Sequence, residues 1–362
     1  MHTTEEEAVV AALSADAILR SRYHSFQVIG RGAQGLVLRA TSAQRSEERA
    51  IKLIPRSSLT GTDAEKELAR KRALRELENH SRLCHPLIAQ YRGAFVTNSF
   101  LVVCMEYADS PVQRGRLLRS LLDLVALKKD GLDEDLARHY FQQLIVAVDY
   151  CHRMKVTNRD IKLEHCLLNK TPESDLPMLK VCDWGLSKCT RPESSLALSL
   201  VGTPGYWAPE VVVAHRNEIQ YDPYKADMFS CGVLLYKLLY GLAGWPVADG
   251  EREYELFRED SLELYNVNLR RLETRRIEMG SEKQVSQEVR DLLKGMLETN
   301  SEQRFTVDDV INSAWFQKDL PPRAKALNDK LTSPEEFARI SSEIPSTESL
   351  IRLVNRAASI HE

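Results

Sequence analysis

Residues 158–169 read "NRDIKLEHCLLN". The stretch sets an Arg–Asp pair (Arg159, Asp160), then Lys162, then an imidazole at His165, then an apolar pair. A carboxylate such as Asp160 can accept the proton of an attacking hydroxyl. An ammonium such as Lys162 can neutralise a group being transferred as an anion. An Arg–Asp dipeptide alone carries no information, so its neighbours decide. Downstream, "KVCDWGLSK" (180–188) supplies Asp183, a hard oxygen ligand for a divalent cation. "VGTPGYWAPE" (201–210), "DMFSCGVLLY" (227–236) with Asp227, and "SEQRFTVDDV" (301–310) with Arg304 follow in order. Upstream, "GRGAQGLV" (30–37) places Gly30, Gly32 and Gly35 as G-x-G-x-x-G. That spacing also fits a dinucleotide fold, but there the loop opens a helix, whereas "LVLRA" (36–40) continues as a strand. "AIKL" (50–53) then sets Lys52 on the next strand, where a half-buried ammonium needs a partner. Glu76 is the candidate. Glu78 is its nearest rival but points elsewhere on a helix, and the bland alternative is a weak surface ion pair.

The chain has 362 residues, more than one compact core usually holds, which predicts two lobes with tails. Hydrophobic residues make up 43 % and charged residues 28 %, a globular rather than a disordered composition. A net charge of −3 gives no reason to expect nucleic-acid binding. The seven cysteines form no C-x-x-C pair and several sit in apolar runs, as Cys104, Cys151 and Cys231 do. They predict buried, reduced thiols and a cytoplasmic or nuclear protein. No signal peptide or membrane span is legible.

Strand-like segments come first and helices dominate after residue 110, a pattern of α+β class. The expected organisation is an N-terminal extension at 1–22, a small lobe at 23–105, a hinge at 106–109, a helical lobe at 110–318 and a C-terminal regulatory tail at 319–362. "DAEKELARKRALRELENH" (63–80) reads as one helix. Helices are also predicted from "RLLRSLLDLVALKK" (116–129), "EDLARHYFQQLIVAVDYCHRM" (134–154), "ADMFSCGVLLYKLLYGL" (226–242) and "QEVRDLLKGMLE" (287–298). Charged stretches near 44–48, 171–177 and 249–284 read as solvated loops or surface helices, and the last could serve for docking.

The ordered motifs at these separations resemble the eukaryotic protein kinases over residues 24–318. "RELENHSRLCHP" (75–86), "VVCMEYA" (102–108), "ARHYFQQLIVAVDYCH" (137–152), "KADMFSCGVLLY" (225–236) and "AWFQKDLP" (314–321) are most similar to the plant stress-activated branch of the sucrose-non-fermenting-related kinases. The resemblance implies a bilobal protein-kinase fold, with a small antiparallel-sheet lobe carrying one main helix and a larger, mainly helical lobe. It implies transfer of the ATP γ-phosphate to Ser or Thr hydroxyls of proteins, in stress or nutrient signalling. Lys162 marks the serine/threonine class. Lys52, paired with Glu76, would hold the α- and β-phosphates, Asp160 would act as base, and Asp183 and His165 occupy the metal positions for Mg²⁺, with Mn²⁺ possible. Ile29, Gly30, Arg31, Gly32, Ala33, Gln34, Gly35, Leu36 and Val37 would cover the nucleotide. Ala50 and Leu167 would sandwich adenine with Ile29 and Val37, with Met105 as gatekeeper and the backbones of Glu106 and Ala108 bonding the ring. In the activation segment, Ser199 would be the phosphorylated switch received by Arg159. Thr203 and Glu210 would follow, with Arg304 pairing Glu210 and Asp227 anchoring the catalytic loop. Expected partners are protein substrates with basic recognition sequences and an upstream kinase and phosphatase acting on Ser199. Nucleic acid and membrane are not expected. The tail would lay a helix on the small lobe through Ile340, Ile344, Leu350, Ile351 and Leu353. No long acidic run follows it, so the phosphatase docking that such runs provide is not carried over.

Three positions in the catalytic and metal motifs depart from the pattern. His165 stands where an Asn usually offers an amide oxygen to one metal, and imidazole suits transition metals better than Mg²⁺. Losing that ligand predicts a penalty on the order of 10²–10³ in rate. The alternative is a pseudokinase scaffold that binds nucleotide with little transfer. Asn158 and Trp184 replace a His and a Phe, one smaller and one larger, a volume swap that cores tolerate.

Overall fold

In the computed structural model the described residues are 13, 16–32, 35–128, 130–172, 174–190, 196–242 and 285–359. Ala33 and Gln34, most of the N-terminal extension and the 249–284 insertion lie outside them. The chain divides into two compact units, residues 1–109 with 334–362 and residues 110–333.

The first unit opens with α1 (Ala17–Arg22), capped by the Asp16 carboxylate accepting from the Leu19 N–H at 3.0 Å. Five antiparallel strands follow: β1 (Tyr23–Gly32), β2 (Gly35–Ser42), β3 (Glu48–Pro55), β4 (Tyr91–Val96) and β5 (Phe100–Glu106), in the order β1-β2-β3-β5-β4. Register assigns the faces. Val37 pairs with Lys52, Lys52 with Val103 and Ala50 with Met105. Since side chains alternate along each strand, Val37, Ala50, Lys52 and Met105 share one face. The opposite face carries Leu38, Ala40, Ile51, Leu53, Val102 and Cys104, packed with Leu13 and Leu19. Between β3 and β4 runs α2 (Ala64–Ser81), with Asp63 as N-cap and Glu65 and Glu67 in its first turn, where the helix dipole favours acids.

The second unit begins differently from the sequence expectation. Residues 116–129 were expected to be helical throughout. Instead, β6 (Val112–Gln113) and β7 (Arg116–Leu117) make a hairpin, and α3 covers only Leu121–Ala126. Left-handed backbone at Arg114 and Gly115 (φ 49° and 75°) turns the hairpin, and a Ser120–Asp123 capping box starts the helix late. The long helix α4 (Glu134–Arg153) and the short strand β8 (Val156–Thr157) lead into the catalytic-loop segment. Then come β9 (Cys166–Thr171), β10 (Ser174–Val181), β11 (Lys188–Cys189), α5 (Pro209–Asn217) and α6 (Pro223–Tyr240). Residues 174–177, expected in a loop, are the exposed start of β10. After residue 285 lie α7 (Gln287–Met296), α8 (Val307–Ile311), α9 (Ala314–Gln317) and α10 (Arg323–Leu331). Asn328 of α10 donates to the Val146 carbonyl and to Asp149, each at 2.8 Å, tying α10 to α4.

Buried Lys237 on α6 sets its Nζ 3.9 Å from the centre of the Tyr206 ring. Burial pushes its pKa down from 10.5 to about 8, against a smaller upward pull from Glu164. The unfolded chain therefore binds more protons between those two pH values, so this group's contribution to stability is present above pH 10.5 and is lost as pH falls through about 8. Wild type is expected to gain roughly 2–3 kcal/mol on Lys237→Met between about pH 7.5 and 10.5, read from urea unfolding at both ends. Parallel curves for the two proteins would refute it.

The last two helices, α11 (Pro334–Glu343) and α12 (Thr347–Ala358), belong to the first unit. Leu350, Val354 and Ala357 of α12, spaced to share a face, pack with Ile54, Leu59, Ala73, Leu77, Leu101 and Val103. Ile351, expected on this face, is exposed, because the inward stripe runs through Val354 and Ala357 instead. Arg56 closes the helix. Its buried guanidinium donates to the carbonyls of Ala357 (2.8 Å), Arg356 (3.2 Å), Ser359 (2.6 Å) and Asn98 (3.2 Å). Carbonyls at a helix end lack partners within the helix and carry negative partial charge, so the cation satisfies both needs. Leu350→Ala is expected to cost about 2–4 kcal/mol in urea unfolding. A loss below about 1 kcal/mol would mean that α12 is not part of this core. All seven cysteines are free thiols, and no described helix is long and apolar enough to cross a membrane.

Candidate active site

The first unit holds a lysine and its partner. Lys52 Nζ donates to both Glu76 oxygens, at 2.7 and 2.8 Å, with both side chains buried. β3 presents Lys52 on the face against which Ala73 and Leu77 of α2 pack, and Glu76 lies between them in sequence. A buried charge pair of this kind contributes little net stability but fixes an ammonium in one place. Val37, Ala50 and Met105 lie half-buried on the same face, and Ile29 is half-buried on β1. The Glu106 N–H donates to the Gln90 carbonyl at 2.8 Å, so any contact Glu106 makes to a ligand through its backbone is confined to its carbonyl. Gly35 is required for a reason the spacing did not reveal. At φ 145°, a Cβ there would lie 2.0 Å from the Leu53 carbonyl oxygen. Gly30 has room for one, its nearest neighbour being Val37 at 3.7 Å.

The second unit gathers the catalytic-loop residues. Asp160 Oδ1 accepts from the Thr203 hydroxyl at 2.6 Å, and Oδ2 lies 3.1 Å from Lys162 Nζ. Lys162 also donates to Thr203 Oγ1 at 2.6 Å. A carboxylate, a hydroxyl and an ammonium thus form a closed triangle. Gly202, just before this threonine, has φ 104°, and a Cβ there would meet the Arg159 carbonyl at 2.5 Å. His165 ends a 3₁₀ turn (Leu163–His165). Its Nδ1 is 3.0 Å from the Asp160 carbonyl oxygen, and its Nε2 is 3.4 Å from Asp183 Oδ2. Asp183 is 43 % exposed, the state of a carboxylate that can take a cation. Leu167, on β9, is half-buried.

Buried Asp227 holds the loop's backbone. Its carboxylate accepts from the N–H of Asn158 (2.9 Å) and of Arg159 (2.8 Å), and His152 Nε2 lies 3.1 Å away. Arg159 and Asp183 both adopt left-handed backbone (φ 66° and 60°), an uncommon state for bulky residues that surrounding bonds must enforce. Asn158 supplies two of those bonds. Its Oδ1 accepts from the Asp160 N–H at 3.0 Å and its Nδ2 donates to the Asp183 carbonyl at 3.2 Å. Sequence reasoning treated Asn158 only as a volume, and its amide, able to donate and accept at once, was the available signal. Trp184 is buried.

Arg159 reaches onward. Its Nε donates to the Leu186 carbonyl (2.8 Å) and its Nη1 to Ser199 Oγ (2.9 Å). Ser199 is exposed, and its carbonyl accepts from the Tyr221 hydroxyl at 3.1 Å. Arg304 is fully buried and donates to Glu210 Oε2 (2.8 Å) and to the carbonyls of Lys225 and Glu298, each at 2.8 Å.

Residues 23–316 match the protein kinase domain family. The chain is 32 % identical over 336 residues to the serine/threonine-protein kinase SAPK7 of Oryza sativa subsp. japonica, covering 93 % of this chain and 83 % of that protein. It is 32 % identical over 345 residues to the serine/threonine-protein kinase SRK2H of Arabidopsis thaliana, covering 93 % and 82 %. It is 35 % identical over 300 residues to the rice serine/threonine-protein kinase SAPK2, covering 83 % and 78 %.

Proposed function

Because the chain belongs to the protein kinase family, we propose that it transfers the γ-phosphoryl group of ATP to serine or threonine hydroxyls of proteins. The observation that carries this reading is the Asp160–Thr203–Lys162 triangle, in which a hydroxyl already donates to the carboxylate beside a fixed ammonium. A substrate hydroxyl would occupy that acceptor's reach and give up its proton to Asp160 as its oxygen bonds to phosphorus and the bond to ADP breaks. Lys162 would offset charge on the transferring group, and Lys52, held by Glu76, would hold phosphate oxygens. Asp183 fits Mg²⁺, which commonly takes one or two carboxylates and completes its shell with phosphates and water. The ion's part is to neutralise charge on the phosphates.

Regulation follows from Arg159. A phosphate on exposed Ser199 would meet a guanidinium already 2.9 Å from its oxygen and replace a neutral contact by a charge-assisted one. A role in stress signalling is the reading suggested by the similarity to SAPK and SRK2 kinases.

The test is radiolabelled phosphate transfer from ATP to a basic substrate protein, with Mg²⁺ and with Mn²⁺, using Ser199-phosphorylated protein. Wild type is expected to transfer, and Lys52→Met to lose about 10²–10³-fold. Absence of transfer by wild type that still binds ATP would reject catalysis and leave a nucleotide-binding scaffold.

A further inference from the structure

His165 is where the chemistry of this chain parts from a two-magnesium site. Its Nδ1 faces two oxygens of Asp160, the backbone carbonyl at 3.0 Å and Oδ2 at 3.3 Å. Both are acceptors, so Nδ1 carries the ring proton. Nε2 is then the ring nitrogen left to ligate a metal, and the atom it faces is Asp183 Oδ2 at 3.4 Å, an acceptor that a proton or a metal cation placed between the two would satisfy. Two electron-pair donors therefore converge at a separation that one cation, with bonds of about 2.0–2.2 Å, can bridge. The backbone fixes the pair. The His165 N–H donates to the Lys162 carbonyl (3.1 Å), and the His165 carbonyl accepts from the N–H of Cys182, next to Asp183 (2.9 Å). The ring is only 16 % exposed.

Mg²⁺ strongly prefers oxygen and sheds water reluctantly, whereas imidazole suits the first-row transition ions. We propose that His165 Nε2 and Asp183 Oδ2 form a mixed nitrogen–oxygen metal position that accepts a first-row transition ion and rejects Mg²⁺. No set of three His, Cys, Asp or Glu side chains among the described residues is arranged to hold a metal. Nucleotide phosphate and water must complete the shell, so the inference rests on the nucleotide-binding reading above. The enzyme then works with a single Mg²⁺ when Mg²⁺ alone is supplied.

The experiment pairs calorimetric cation counting with pulsed electron paramagnetic resonance of Mn²⁺, using the 362-residue chain and a non-hydrolysable ATP analogue. Nucleotide binding is scored separately with a fluorescent ATP analogue. The nucleotide complex is expected to take two Mn²⁺ but one Mg²⁺. Directly bound nitrogen should couple to Mn²⁺ only when nucleotide is present, and the coupling should change isotope when histidine is ¹⁵N-labelled. His165→Asn should lose the nitrogen coupling and take two Mg²⁺. Wild type alone decides the matter should that variant fold poorly. Two Mg²⁺ in wild type, or Mn²⁺ without nitrogen coupling while nucleotide still binds, would overturn the metal position and leave the kinase reading intact. Failure to bind nucleotide at all would overturn both.

Discussion

Asp160→Asn is expected to lower kcat by about 10³–10⁴-fold while leaving nucleotide affinity within a factor of about two. The substitution keeps the size of the side chain and removes its charge and its basicity. Asp160 Oδ1 accepts the Thr203 hydroxyl and Oδ2 lies by Lys162, so the carboxylate is held by donors on two sides. An amide can accept from only one of them and cannot take up a substrate proton. The main chain should survive, because the Asp160 N–H is held by Asn158 Oδ1 at 3.0 Å and not by its own side chain. Steady-state transfer kinetics and equilibrium nucleotide binding separate the two effects. A kcat within about tenfold of wild type would remove Asp160 from the chemistry.

The second large effect is on stability. Asp227→Ala is expected to cost about 3–5 kcal/mol in urea unfolding, because it strips two buried backbone N–H groups of their acceptor at once. The residue is 1 % exposed, and water has no easy access to replace the lost bonds. One of the released N–H groups belongs to Arg159, whose left-handed backbone depends on being pinned. Asp227→Asn retains one acceptor oxygen, and its expected loss is about 1–2 kcal/mol. Equal losses for the two variants would show that the side chain's bulk, and not its oxygens, holds the loop.

The sequence announced the architecture wherever periodicity or unavoidable chemistry was involved. Strand alternation in 36–40 and 50–53 put Lys52 on a buried strand, and a buried ammonium demands a carboxylate; Glu76 is the one that meets it. The helices of 134–153 and 223–240 are long and apolar enough to be legible without a partner. Short-range turn chemistry was read less well. The "RLLRSLLDLVALKK" stretch has helical composition, but left-handed Arg114 and Gly115 commit residues 112–117 to a hairpin first. Some contacts between distant residues, outside the recognised motif pairs, left no trace in the sequence. Arg56 meets Ala357 across 301 positions, and nothing near either predicts the other. The same holds for Thr203 closing on Asp160 across 43 positions and for Asn158 joining Asp183 across 25.

The division of the first unit into two stretches of chain has a consequence for biosynthesis. The sheet and α2 are made first, residues 110–333 follow, and only then is α12 made. At about 5–20 residues per second, the ribosome spends roughly 10–45 s on that intervening segment. Throughout it, Ile54, Leu77, Leu101 and Val103 lack the helix that finally covers them, and Arg56 lacks its three carbonyls from residues 356–359. The nascent chain thus carries a greasy, half-finished sheet while its larger unit is being translated. A pause or premature stop before residue 347 would strand it in that state, as a client for chaperones and proteases.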